Sequence, residues 1–209
     1  MGLDMYLRAE RDFAIGSAEA DAILAAAEVT AAEVAKASVP NEDGYRDNIY
    51  IGGWNHAEHA ERARYVATLL AAGLPGTPAS PSLTVEINED GRLVVSATVV
   101  YWRKANAIHS WFVENCQDGV DECQSTEVNV EALAHLADTC KAALSAYNKG
   151  YVEEAGEIMS PTAGFFFGST DVDEWWATEM RATANNIQAV VGTVLARPGS
   201  TKFVYQSSW

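Results

Sequence analysis

Leu83-Thr84-Val85-Glu86-Ile87-Asn88-Glu89-Asp90-Gly91-Arg92-Leu93-Val94-Val95-Ser96-Ala97-Thr98-Val99-Val100-Tyr101-Trp102-Arg103 is the stretch whose reading decides the fold. Leu83, Val85 and Ile87 share one face of a strand, Asp90-Gly91 supplies a tight turn, and Arg92 to Arg103 returns. The return strand is apolar on both faces, with Leu93, Val95 and Val99 opposite Val94, Val100 and Trp102. That predicts a central strand covered on both sides. It runs directly into a helix from about Lys104 to Asn115.

On the N-terminal side, Leu3, Met5 and Leu7 alternate with Asp4, Tyr6 and Arg8, the period of a half-buried strand. Ser17 to Ala37 is Ala-rich and reads as one helix or two short ones, with Ser17 as N-cap and Thr30-Ala31-Ala32-Glu33 as a capping box. Pro40 to Asp47 is a polar turn, Asn48 to Ile51 a short strand ended by Gly52-Gly53, and His56 to Ala72 a helix. Gly73 to Ser82 carries three prolines and two glycines and reads as a loop.

On the C-terminal side, Asn129 caps a helix whose Leu133, Leu136, Ala137, Cys140 and Leu144 repeat at helical spacing. Thr170 is expected to cap a long helix to about Arg197, with Asp173 completing a capping-box-like pair. Its buried stripe is Trp176, Met180, Thr183, Ile187, Val191 and Val194. Arg197-Pro198-Gly199 ends it, and Lys202 to Ser207 forms a last strand. Hairpin connections without a βαβ series predict an α+β fold: an antiparallel sheet with a central hairpin, flanked by several amphipathic helices. Residues 1–209 read as one domain, with a helical elaboration at 17–37 and a loop at 73–82.

The 209 residues are 48% hydrophobic and 10% aromatic, enough for a sizeable core. Against 14 basic residues stand 29 acidic ones, a formal net charge of −15. Such a surface repels phosphodiester backbones, so nucleic-acid binding through a basic face is not expected; solubility is the simplest meaning of the charge. Cys116, Cys123 and Cys140 form an odd set without a CxxC pair, which fits reduced thiols in a cytosolic protein. Asp4 and Arg8 interrupt any apolar leader, position 6 is Tyr6 where a myristoylation signal needs Ser or Thr, and no stretch reaches transmembrane length. A soluble intracellular protein without membrane association is expected.

Packing does not explain Tyr101-Trp102-Arg103-Lys104-Ala105-Asn106-Ala107-Ile108-His109-Ser110-Trp111-Phe112. Two cations, an amide, an imidazole and four aromatic rings crowd a strand-to-helix junction. Arg103 and Lys104 at a helix N-terminus can hold a phosphate or carboxylate, Arg103 through charge-assisted hydrogen bonds. Trp102 or Trp111 can stack on a ring, while Asn106 and His109 read polar edges; Tyr101 shares a strand face with Arg103. The competing reading makes both tryptophans and His109 core residues and pairs Arg103 and Lys104 with the abundant acids.

Gly164-Phe165-Phe166-Phe167-Gly168-Ser169-Thr170 is the second unusual segment. Three consecutive phenylalanines cannot face one core unless the chain turns, and the glycines permit that turn. Phe166 can wall a flat ligand, with Ser169 and Thr170 offering hydroxyls. The alternative is a buried connector. Asp171, Asp173 and Glu174 already answer the positive end of the following helix, which argues against an anion site there.

His56-Ala57-Glu58-His59 has a chelating spacing but no HExxH order and no third ligand. His135 shares a polar helix face with Glu131 and Asp138. Asp118-Gly119-Val120-Asp121 has only part of a calcium loop. No metal and no cofactor are therefore expected, and GxGxxG, GxxxxGK[ST] and GxSxG are all absent from the sequence.

The opening Met1-Gly2-Leu3-Asp4-Met5-Tyr6-Leu7, the block Tyr101 to Phe112, Gln117-Asp118-Gly119-Val120-Asp121, Gly164 to Thr170, and the closing Tyr205-Gln206-Ser207-Ser208-Trp209 together resemble a family. They are similar to small uncharacterised proteins encoded by bacteriophages and prophages. The likeness covers both ends and about 99–180, and does not include 17–37 or 73–82. Similar proteins carry a phosphoglycerate kinase label, but this chain is far too short for that two-domain enzyme and lacks its glycine motif. The resemblance implies a phage origin and work in the host cytoplasm, and it brings no catalytic residue.

Three functions stay open on the sequence. The first is a phage accessory protein that binds a small anionic ligand, of the nucleotide or nucleotide-derived immune-signal class, to counter host defence. Its ligand-binding set is Tyr101, Trp102, Arg103, Lys104, Asn106, His109, Trp111, Phe166 and Ser169. The second is a hydrolase of a phosphoester or glycosidic bond with His109 as general acid/base. The third is an acidic inhibitor that mimics nucleic acid before a basic protein.

Overall fold

The computed structural model describes residues 2–42, 48–52, 59–75, 82–196 and 199–209. The turn at 43–47, Gly53, His56 with its chelating spacing to His59, most of the loop 73–82 and Arg197-Pro198 lie outside them. The protein is α+β, with seven helices and a six-stranded antiparallel sheet among the described residues.

The strands are β1 (Asp4–Ala14), β2 (Ile49–Gly52), β3 (Leu83–Ile87), β4 (Arg92–Arg103), β5 (Thr126–Val128) and β6 (Lys202–Ser208). The helices are α1 (Ala18–Ala26), α2 (Ala31–Ala37), α3 (His59–Ala72), α4 (Asn106–Cys116), α5 (Val130–Asn148), α6 (Val152–Ile158) and α7 (Glu174–Leu195). Sheet order is β2-β3-β4-β1-β6-β5, so β4 is interior, as its two apolar faces require. From Ala97 to Val100 every residue is buried, whereas Arg92 to Ser96 alternates between buried and half-buried.

The β3–β4 hairpin pairs Leu83 with Ala97 through Ile87 with Leu93. Its turn is one residue longer than Asp90-Gly91 alone would make it. The Gly91 N–H donates to the Asn88 carbonyl, Gly91 is left-handed at φ +71°, and the Asn88 side chain accepts from the N–H groups of Asp90 and Arg92. Asn88 therefore sets the turn and Gly91 closes it, a three-residue loop with a glycine bulge.

The chain divides into two compact units. One comprises residues 8–99 and 197–202. In it, α1 and α2 are separate helices, started by the Ser17 hydroxyl and by the reciprocal Thr30–Glu33 box. Ser38 ties α2 to β3 through the Ile87 N–H at 2.7 Å.

The other unit comprises residues 1–7, 100–196 and 203–209. Here α5, capped by Asn129, packs on α6 and α7. Burial of Leu133, Leu136, Ala137 and Cys140 against Met180, Ala184 and Ile187 forms its helical core. The start of α7 differs from the expectation. Asp173, not Thr170, is the cap, its carboxylate accepting from the N–H groups of Trp175 and Trp176. Val190 rather than Val191 completes the buried stripe.

Candidate functional site

The junction after β4 is built by one residue in an unusual conformation. Lys104 has φ +58°, left-handed and sterically costly for a side chain with a Cβ. Its N–H donates to the Leu3 carbonyl at 2.8 Å, which holds it there. The kink ends the strand and lets α4 start at Asn106, so Lys104 precedes the helix rather than opening it. Gly168, itself left-handed at φ +92°, lies so close that an added Cβ would sit 3.3 Å from the Lys104 Cβ. Arg103 and Lys104 are left exposed side by side.

Helix α4 begins without a side-chain cap: its N-cap is Ala105, and no acid stands in its first turn. The first N–H groups of a helix lack intrahelical partners and carry the positive end of its dipole. Ala105, Asn106 and Ala107 instead line a cavity of about 350 Å³. Arg103, Lys104, Gly168 and Ser169 form its near side; Trp175, Trp176, Glu179 and Met180 of α7 form the far side.

The charges around this cavity are unequally engaged. Asp173 is occupied capping α7, and Asp171 accepts from the Ser169 hydroxyl at 2.8 Å while its own N–H returns to that oxygen. By contrast, the side chains of Arg103, Lys104 and Glu179 make no hydrogen bond or ion pair among the described residues. Partial burial pushes the Glu179 carboxyl above the usual carboxylate range. Among the described residues, the cavity thus offers two cations with unengaged side chains, an uncapped helix start, an indole and one reluctant carboxylate.

The structure brings together Arg103, Lys104, Asn106 and Ser169, but not as equals. Asn106 is buried, and its amide donates to the carbonyls of Phe167 (3.1 Å) and Ser169 (2.7 Å), clamping that loop. Three other expected residues line neither this cavity nor the one beside His109. Trp102 is core, its indole N–H donating to Thr183 at 2.9 Å. Trp111 is core too, edge-on to Phe112. Tyr101 donates to Asp4 and lies 5.4 Å from the Tyr6 ring. Burial first, then that hydrogen bond, push its hydroxyl up to about 12.

His109 and Phe166 line a different cavity of about 730 Å³. The imidazole is only 1% exposed, and both nitrogens are engaged. Nδ1 lies 2.8 Å from the Tyr205 hydroxyl and Nε2 lies 3.0 Å from Asp121 Oδ2. With a carboxylate at Nε2, that nitrogen carries the proton and donates, and Nδ1 accepts from Tyr205. Burial, the largest cause, and the negative charge of Asp121 push the Tyr205 hydroxyl far up, so it stays protonated and fit to donate. The other Asp121 oxygen accepts from the Trp209 indole at 3.2 Å. His109 therefore fastens α4 to β6 and to the loop before β5, and has no nitrogen free for a substrate in this arrangement.

Sequence reasoning missed Trp175 and Glu179 as site residues, Asp121 and Tyr205 as partners of His109, and Trp209 as a donor to Asp121. A signal existed for the first two. Once Trp176 belongs to the buried stripe, its neighbour Trp175 must face outward, and Glu179 four residues on shares that face.

No protein-family model, no curated protein and no solved structure matches this chain. Among the described residues, no helix is long and apolar enough to cross a membrane, and no group of three or more His, Cys, Asp or Glu side chains is placed to hold a metal ion. All three cysteines are free thiols, and burial raises those of Cys116 and Cys140, the latter to about 12.

Proposed function

We propose that this protein binds a small anionic ligand carrying a flat ring, of the nucleotide or nucleotide-derived class, and retains it intact. Its resemblance to phage-encoded proteins supports a setting in the host cytoplasm, where withholding such a signal would blunt host defence. The observation that carries the reading is the unengaged pair Arg103 and Lys104 beside the uncapped start of α4.

Each part of such a ligand finds a counterpart. The anion faces the guanidinium, the ammonium and the open helix N–H groups. The ring lies against Trp175, which is largely exposed. Glu179 accepts from an exocyclic amine, a contact that repays part of its desolvation. A volume of about 350 Å³ is at the small end of the roughly 300–1,000 Å³ of ligand sites, which suits one nucleotide unit. Retention is favoured over turnover because His109, the general acid/base the hydrolase alternative relies on, lines the other cavity with both nitrogens bonded.

The test is a nucleotide panel in thermal shift and calorimetry, followed by recovery and mass analysis of the ligand. A phosphate-bearing member should raise the melting temperature and come back unchanged. Arg103→Ala should weaken its binding by about 1.5–3 kcal/mol, the scale of a hydrogen bond to a charged group. A panel without any stabilising ligand, or a ligand that binds Arg103→Ala equally well, sinks the reading.

A further inference from the structure

The cavity beside His109 has a different chemistry, and it shares no lining residue with the one just discussed. We infer that it is a binding site for a small alkylammonium ligand. The site follows from how Gly164 to Phe167 turns. The Phe167 N–H donates to the Gly164 carbonyl, and the Phe167 ring folds back over Gly164 so closely that a Cβ there would lie 2.5 Å from it. Phe167 is thereby buried, edge-on to His109 at 5.2 Å, while Phe165 and Phe166 are thrown outward.

The outward rings gather instead of scattering. Phe165 is 95% exposed, Phe166 is half-buried, and Trp209 is 45% exposed; all three line this cavity. Phe165 meets Phe166 edge-to-face at 4.8 Å, and Trp209 lies 6.0 Å from Phe167. Exposed aromatic surface concentrated around one concavity marks a binding site, because folding alone gains nothing from it.

Charge then selects the guest. Among the described residues, Asp121 and Glu114 line the same cavity, and no lysine or arginine does. Asp121 lies 3.0 Å from His109 Nε2 and accepts from the Trp209 indole N–H, so its carboxylate is held in place at the cavity wall. The Trp209 ring is in turn fixed at its nitrogen. Aromatic faces attract cations through their quadrupoles, and carboxylates add a favourable field. A compact, weakly hydrated cation with an apolar shell satisfies both, which describes a substituted ammonium group and excludes phosphates and carboxylates.

The full chain should be titrated calorimetrically with choline and, in parallel, with 3,3-dimethyl-1-butanol, its uncharged analogue of the same shape. Choline is expected to bind at least about tenfold more tightly than the alcohol, and its affinity should fall with added salt. Phe165→Ala, which removes a ring that packs on little, should lose about tenfold in choline affinity at an unchanged melting temperature. Glu114→Gln should lose affinity for choline and not for the alcohol. Equal binding of both probes, binding of neither, or Phe165→Ala binding choline like the parent protein would each overturn the proposal. The nucleotide panel tests the other cavity separately.

Discussion

Arg103-Lys104 and Asn106-His109 are separated by one alanine, yet they serve opposite ends. The first pair is exposed, unengaged and set before the helix; the second pair is buried, with the Asn106 amide donating twice and both His109 nitrogens bonded. Polar density along the chain therefore does not identify a binding group. What distinguishes the two pairs is whether the protein itself has already supplied their partners.

The sharpest way to break that contrast is His109→Ala. It opens a void in the core and strands the Tyr205 hydroxyl and Asp121, so a loss of about 3 kcal/mol in chemical denaturation is expected. The folded fraction should still bind the anionic ligand. Selective loss of binding with intact stability would reverse the assignment. Arg103→Ala is the mirror image: beyond its binding defect it should move stability by no more than about 0.5 kcal/mol, as for an ordinary surface position.

Lys104→Gly separates conformation from charge. Relief of the left-handed backbone is worth up to about 1 kcal/mol, partly offset by the greater freedom of glycine when unfolded. Equilibrium denaturation should show stability kept or slightly raised, while calorimetry shows weaker anion binding. A clear destabilisation would mean that the ammonium group has a structural partner after all.

The smallest effect is expected at Glu179, and its sign is informative. Burial raises this carboxyl in the folded state, so the folded protein holds the proton more tightly than the unfolded chain does. The group's contribution to stability is lost as pH rises from the ordinary carboxylate range through the raised value. Glu179→Gln, neutral throughout, should melt slightly higher than the parent at neutral pH, with the gap closing in acid. Ligands bearing an exocyclic amine should lose their advantage over those without one.

The sequence was most legible where a short-range rule acts alone. Ser17, Thr30 with Glu33, and Asn129 all cap as their types and spacing indicate, and the two apolar faces of β4 placed it in the sheet interior. It was least legible where several candidates compete or the element is short. Thr170 and Asp173 are both capping types, and the geometry after left-handed Gly168 gives the role to Asp173. The three residues of β5 are too few to show a period, and α6 is a single short helix of seven residues, three of them glutamates. At the site, the adjacency of Arg103 and Lys104 was visible, but nothing local reports that Trp175 and Glu179 arrive from a distant helix. Nor does lysine advertise a left-handed conformation.

The Asn106 side chain grips two carbonyls at once, one behind Phe167 and one beside Ser169, so it works as a fulcrum under the 164–169 loop. A guest that displaces Ser169 would tug on the same amide that seats Phe167, and crosstalk between the two concavities is the expected outcome. Linkage makes any such influence equal in both directions. Saturating the protein with choline should then shift nucleotide affinity by the same factor by which the nucleotide shifts choline; two fully independent isotherms would show that the fulcrum does not move.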